Sequence, residues 1–180
     1  MQGGRFVIGD HGGYFAETLP DLKAHFGQAF LGITEHTRNG ERRIQEQLKI
    51  SKLKLPFLSS AQSKLKEESD KEIAYSIVDE IIARQNLKKP HARVLVVGYG
   101  TMGKSAADRF KRHNYSSGIT IVDINENRVD EALQNGIVVS PKLREALPDA
   151  DIVILATDAI KGMAPVLTAQ DVEFMKWGAV

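Results

Sequence analysis

Gly98, Gly100 and Gly103 follow directly on the apolar run Val94-Leu95-Val96-Val97, with the spacing G-x-G-x-x-G. Glycines so placed suit the close approach of backbone to a diphosphate. Gly98 permits a tight strand-to-helix turn, Gly100 lets the backbone come up to the phosphates, and Gly103 lets helix and strand pack closely. A helix opening at Thr101 and Met102 then offers unpaired N–H groups and the positive end of its dipole. Asp123 stands twenty residues after Gly103, at the end of a second apolar run, Ile119-Thr120-Ile121-Val122. A carboxylate there accepts hydrogen bonds from ribose hydroxyls and repels a 2′-phosphate, so the pattern favours NAD over NADP. Thr157 closes a further run, Asp151–Ala156, and a strand end in that place is expected to contact the cofactor, as is Asp158 beside it.

The same segment satisfies a rival pattern. Gly98–Ser105 also reads G-x-x-x-x-G-K-S, in which Lys104 would reach the β- and γ-phosphates of a nucleoside triphosphate and Ser105 would hold Mg²⁺. The metal-binding acid would then come from Asp123 or from the stretch Leu155–Asp158. The short crossover from Val97 to Ile119, and a middle glycine that this pattern does not need, weigh against it. A glycine-rich turn with no ligand is the structural alternative.

A second group of chemically capable residues lies in the first half. Asp10, His11, Glu35 and His36 follow apolar runs and are expected at strand ends, on the ligand side of a parallel sheet. Imidazole and carboxylate together serve as general acid and base or bind a metal. No third ligand at a recognisable spacing accompanies His11 and His36, so no metal site is assigned. Polar residues that merely end strands are the structural reading of the same group. Residues 38–54 are locally basic, but no aromatics interleave the charges. A solvated helix face with Glu41 and Glu46 as partners accounts for them without nucleic acid.

The elements that must position these residues alternate. Arg5–Gly9, Phe30–Thr34 and Leu53–Leu58 read as strands, the last at a sheet edge because of Pro56. Helical spacing runs over 15–28 and from Thr37 to about Leu48. The polar stretch 59–69 reads as a linker, and Ser69 with Glu72 forms a capping box for a helix reaching Gln85. Its apolar face comprises Ile73, Ala74, Ile77, Val78, Ile81 and Ile82. After Asp123 come a helix over 126–134, a strand over 137–139, a short helix over 141–146 and a strand over 151–156. Alternating strands and helices imply a parallel sheet. The fold is therefore α/β: an incomplete Rossmann-type doubly wound parallel sheet over 93–180, preceded by part of a second α/β domain over 1–64, with a hinge and linking helix over 65–92.

Composition narrows the function classes. The 180 residues include 24 basic and 23 acidic side chains, so no global field draws the chain to nucleic acid or an acidic membrane surface. It has no cysteine, which excludes disulfides, thiolate metal sites and cysteine nucleophiles. No apolar run approaches the ~18 residues of a membrane span, and the N-terminus lacks a signal peptide's apolar core. A cytoplasmic protein is expected.

Several separated stretches resemble the S-adenosylhomocysteine hydrolase family. They are Asp10-His11-Gly12-Gly13, then Gly32-Ile33-Thr34-Glu35-His36-Thr37, then Leu53–Ser63 leading to Lys64, then Gly98-Tyr99-Gly100-Thr101-Met102-Gly103-Lys104. The resemblance covers nearly the whole chain and suggests a divergent, truncated member, comprising the end of a substrate domain and most of an NAD-binding domain. Family members use tightly bound NAD to oxidise the ribose 3′-hydroxyl, after which homocysteine is eliminated, water is added and the ring is re-reduced. By this resemblance Thr37 falls on the first of the threonines that contact NAD, with Arg38 and Asn39 replacing the next two. Lys64 falls on the lysine used near the substrate 3′-hydroxyl, and Asp123 replaces a glutamate.

The departures lie at the substrate. Two acidic family positions that work at the substrate ribose are His11 and His36 here, and an aspartate and asparagine after the lysine are Glu68 and Ser69. The family's long N-terminal portion is not in the sequence, and residues 176–180 stand where a fifth strand is expected to begin. An NAD-binding protein that does not carry out the hydrolysis by itself is expected. The alternatives are an NAD-dependent oxidoreductase using His36 or Lys64 as proton acceptor, with His11 as a further catalytic candidate, and a non-catalytic subunit of a split enzyme. A homo-oligomer or a complementary chain is the expected partner, besides the dinucleotide.

Overall fold

The computed structural model describes residues 4–84, 92–115, 118–157 and 164–180. The chain divides into two compact units, Met1–Glu67 and Glu68–Val180.

The first unit is a three-stranded parallel sheet in the order β1-β2-β3, made of β1 (Phe6–Asp10), β2 (Phe30–Glu35) and β3 (Phe57–Ser59). Helix α1 (Leu19–Phe26) joins β1 to β2, and α2 (Arg38–Ser51) joins β2 to β3. Pro56 directly precedes the edge strand, where a missing N–H breaks no ladder, and its carbonyl accepts from Ile33 N–H at 3.1 Å. Leu19, Phe30, Ile33 and Ile44 are buried at the centre, and Phe6 stacks on Phe30 with ring centroids 5.4 Å apart. The single helix expected over 15–28 is broken: a 3₁₀ turn covers Ala16–Thr18 and another covers Gly27–Ala29. Pro20, which needs no helical N–H partner, sits in the first turn of α1, and Gly27 stops it.

Helix α3 (Lys64–Arg84) starts earlier than expected. Residues 64–69 form its first turns rather than a linker, and Ser69 lies inside it instead of capping it. The cap is Ser63, whose carbonyl and Oγ accept from Lys66 N–H at 3.0 and 3.2 Å. The apolar face is also narrower than its spacing suggests. Ala74 and Val78 are buried, Ile81 and Ile82 pack on the core, while Ile73 and Ile77 stay nearly half exposed.

The second unit carries the parallel sheet β6-β5-β4-β7, built from β4 (Val94–Val97), β5 (Ile119–Val122), β6 (Val138–Val139) and β7 (Ile152–Leu155). Its helices are α4 (Thr101–Arg112), α5 (Glu126–Gln134), α6 (Leu143–Ala146) and α7 (Ala169–Val172). Every residue of β4 is buried, as a central strand covered on both faces requires. Alternation along β4 then serves two cores. Val94 and Val96 pack with Val78, Ala106, Ala107, Phe110 and Ile121, whereas Leu95 and Val97 pack with Leu147 and Ala150. From β4 the chain moves first to β5 on one side and later to β7 on the other. That reversal is the switch point at which doubly wound sheets take ligands.

The outer edge of β7 is partly engaged. Val180 N–H donates to Asp151 O at 3.0 Å and Val180 O accepts from Val153 N–H at 2.7 Å, the bonding of a parallel strand.

Candidate functional site

The glycine loop joins β4 to α4 at the switch point. Gly98 has φ +95°, and its N–H donates to Val122 O at 2.8 Å, tying the loop to the end of β5. A Cβ on Gly98 would fall 2.6 Å from Ala156 O and 2.9 Å from Thr157 Cγ2, so Thr157 at the end of β7 closes against the loop. A Cβ on Gly103 would fall 1.8 Å from Gly98 O, which makes that glycine a packing requirement. Gly100 differs. The nearest atoms to a Cβ there belong to the Arg128 guanidinium, at 3.7 Å, an ordinary contact. Among the described residues none comes too close for a side chain at 100, and the space there lies before the first turn of α4.

That turn is open. Thr37 and Asn125 cap α2 and α5 through their side chains, but no side chain caps α4, whose first internal bond runs from Lys104 N–H to Gly100 O at 2.9 Å. The N–H groups of Thr101, Met102 and Gly103 precede it and have no intrahelical acceptor, the arrangement that receives phosphate. The space at Gly100 and this uncapped end fit a dinucleotide.

Asp123 follows β5 with its side chain almost wholly buried. Its Oδ2 accepts from Tyr99 N–H at 2.5 Å and its Oδ1 from Asn125 N–H at 2.8 Å, with Arg128 Nη1 3.5 Å away. Burial pushes the carboxyl up, but these N–H donors and the guanidinium pull it further down, below its ordinary 3.8. It is therefore ionised at neutral pH, beside the glycine loop. Arg128 was missed by sequence reasoning. It stands between Asp123 and the space at Gly100, and its signal was a cation in the first turn of the helix after the acid.

The residues of the triphosphate pattern point elsewhere. Lys104 pairs with Glu131 and lies 5.7 Å above the Tyr99 ring, and Ser105 Oγ donates to Thr101 O at 2.8 Å within its own helix. Neither reaches the loop's open side. Asp158 lies outside the described residues.

In the first unit, register pairing of Asp10 with Glu35 brings the next residues side by side. His11 Nδ1 and His36 Nε2 are in hydrogen-bonding contact, with the rings at 74°. Of the two readings of the carboxylates, their hydrogen bonds match the structural one. Glu35 is 2% exposed and accepts four backbone N–H groups, from Gly12 and Gly13 at 2.9 and 2.8 Å and from His36 and Thr37 at 2.8 and 2.7 Å. Asp10 accepts from His11, Tyr14 and Phe15 N–H at 2.8, 3.2 and 3.0 Å. Both brace loops: Glu35 has two N–H donors on each oxygen, and Asp10 has two on Oδ1 and one on Oδ2. Thr37 Oγ1 accepts from Gly40 N–H at 3.0 Å as the cap of α2, and Lys64 sits exposed on the first turn of α3. Among the described residues no group of three or more His, Asp or Glu side chains is placed to share a metal ion. None of the described helices is long and apolar enough to cross a membrane.

Comparison with known proteins agrees with this geometry. Residues 93–178 match the family described as the NAD binding domain of 6-phosphogluconate dehydrogenase. The adenosylhomocysteinase of Thermotoga maritima is 30% identical over 166 residues, which are 91% of this chain and 37% of that protein. The adenosylhomocysteinase of Nostoc sp. is 29% identical over 176 residues, 97% of this chain and 40% of that one. This chain is a divergent relative of adenosylhomocysteinase. It spans well under half the length of the adenosylhomocysteinases it matches. The cofactor of its second unit is NAD. The fold agrees with a wider group: a solved structure of the pyruvate reductase of Chlamydomonas reinhardtii superposes with a TM-score of 0.59 at 18% identity, covering 97% of this chain and 54% of that one.

Proposed function

We propose that this adenosylhomocysteinase relative is an NAD-holding module that does not hydrolyse S-adenosylhomocysteine by itself. The observation that carries the reading is the space before Gly100, backed by the uncapped end of α4 and flanked by the ionised Asp123. In this reading the N–H groups of Thr101, Met102 and Gly103 receive the pyrophosphate, and Asp123 accepts from the adenosine ribose hydroxyls. Thr157 borders the nicotinamide side. When bound, the nicotinamide supplies a hydride acceptor. The reading of inactivity rests on the first unit, where His11 and His36 occupy the family's acidic positions and turn toward each other.

Titration calorimetry with NAD⁺, with NADP⁺ and with ATP–Mg²⁺ tests the assignment. Saturable binding of NAD⁺, weaker NADP⁺ and no ATP–Mg²⁺ binding are expected, with no release of homocysteine from S-adenosylhomocysteine. Tight ATP–Mg²⁺ binding without NAD⁺ would overturn it.

The contact between His11 and His36 favours a second reading, an NAD-dependent oxidoreductase in which His36 or Lys64 takes the hydroxyl proton. Formation of NADH from an alcohol substrate, abolished by His36→Ala or Lys64→Ala, distinguishes it. The outer edge of β7 is our proposed joining surface for a second copy or a complementary chain. Leu155 there is 49% exposed.

A further inference from the structure

His11 and His36 form a cluster that the NAD site does not use. Their strands emerge in register, so the residues after Asp10 and Glu35 leave the sheet at the same level. The backbone on both sides is held, because Glu35 ties the loop after β1 to the start of α2 and Asp10 ties its own loop. On this braced base the Nδ1 of one ring faces the Nε2 of the other, and both side chains are open to solvent.

We propose that His11 and His36 form a two-imidazole chelate for a borderline divalent transition metal, of the zinc, nickel or copper class. A hydrogen bond between two ring nitrogens needs one as donor and the other as acceptor, so one lone pair points into the contact. A small rotation of either ring opens it to the ~3.3 Å that two imidazole nitrogens keep across a tetrahedral Zn²⁺ with Zn–N of about 2.0–2.1 Å. Imidazole suits zinc, copper and nickel, whereas magnesium and calcium take oxygen. The nearby oxygens of Asp10 and Glu35 are held by backbone N–H groups, which leaves nitrogen as the donor at the contact. Their two buried negative charges offset the Arg43 guanidinium, whose Nη1 donates to Gly12 O at 2.9 Å. With two protein ligands, the remaining coordination positions belong to water or to a small ligand.

The test uses the full chain without an affinity tag, stripped of metal with a chelator. Calorimetric titration with ZnCl₂, NiCl₂ and CuCl₂ should show one saturable site per chain, and MgCl₂ none. His11→Ala and His36→Ala should each weaken binding at least ~tenfold, the loss expected when even a supporting group of a metal site is removed. His25→Ala should leave it unchanged. Nickel should broaden the imidazole proton resonances of His11 and His36 and spare those of His25 and His113. Should an alanine variant unfold, His11→Asn and His36→Asn carry the same comparison, and thermal melts without metal check folding. Binding retained in both variants, broadening at other histidines only, equal response to Mg²⁺, or no binding of any of the three metals at millimolar concentration would each overturn the proposal.

Discussion

The glycines of the loop after β4 differ in what they answer to. At Gly103 a methyl group would collide with the Gly98 carbonyl, 1.8 Å away. Gly103→Ala should therefore cost about 3 kcal/mol or more of stability, read as a fall in the thermal midpoint. At Gly100 the nearest atoms to a methyl group are those of the Arg128 guanidinium, at 3.7 Å. Gly100→Ala should leave the midpoint unchanged and weaken NAD binding roughly 10–100-fold, the loss of one or two charge-assisted hydrogen bonds. An unchanged affinity would remove the pyrophosphate from this loop. Lys104→Ala should leave nucleotide binding as it is, since Lys104 is engaged with Glu131. The Asp123 carboxyl is held below 3.8, so its charge is present above that pH and lost only as pH falls through the lowered value. NAD affinity should accordingly be flat from neutrality down to about pH 5 in calorimetry and fall below the ordinary carboxylate range.

Two buried or paired carboxylates organise the elements. Glu35 holds four backbone N–H groups from two loops, and although burial pushes it up, those bonds from Thr37, Gly13 and Gly12 hold it below the ordinary carboxylate value. Glu35→Gln replaces an acceptor oxygen by a donor and leaves two of those N–H groups unmatched. A loss of about 2 kcal/mol or more is expected, a drop in melting temperature of roughly 4–8 °C. In the second unit Asp79 on α3 receives Arg109 Nε and Nη2 of α4 at 2.7 and 2.6 Å, and His113 Nε2 lies 2.8 Å away. The Arg109 hydrogen bonds chiefly bring its carboxyl down to about 2. A depressed carboxylate contributes stability above its unfolded value and loses it as pH falls through the folded one. The melting temperature of Asp79→Asn should thus lie below that of the parent at neutral pH and converge with it between pH 4 and about 2.

At the scale of the whole molecule, the sheet of the second unit has its central strand covered on both faces, yet β7 has an outer edge on which Val180 makes two ladder bonds. Sedimentation velocity tests the proposed joining at this edge, and self-association is expected. A monomer at high concentration would count against this.

Much of this was written locally. The apolar run before Gly98, the acid twenty residues past Gly103, and the alternation of strand and helix are short-range patterns set by backbone sterics and hydrophobic periodicity. By themselves they determined the α/β class, the Rossmann-type unit and NAD as its cofactor. Helix limits were less legible: Pro20 and Gly27 interrupt α1, and Ser63 rather than Ser69 starts α3, because several polar residues compete to cap and only packing chooses among them. The tertiary structure alone decided which polar groups are free. Glu35 and Asp10 read in sequence either as acid–base groups or as polar strand ends, and in the fold their oxygens accept N–H groups of loops. Lys104 and Ser105 look like phosphate ligands but turn to Glu131 and the helix backbone. Arg128 comes to the loop, and His11 meets His36, through contacts between segments distant in the chain. Residue type states what a side chain can bond; only the fold brings up the partner that it does bond.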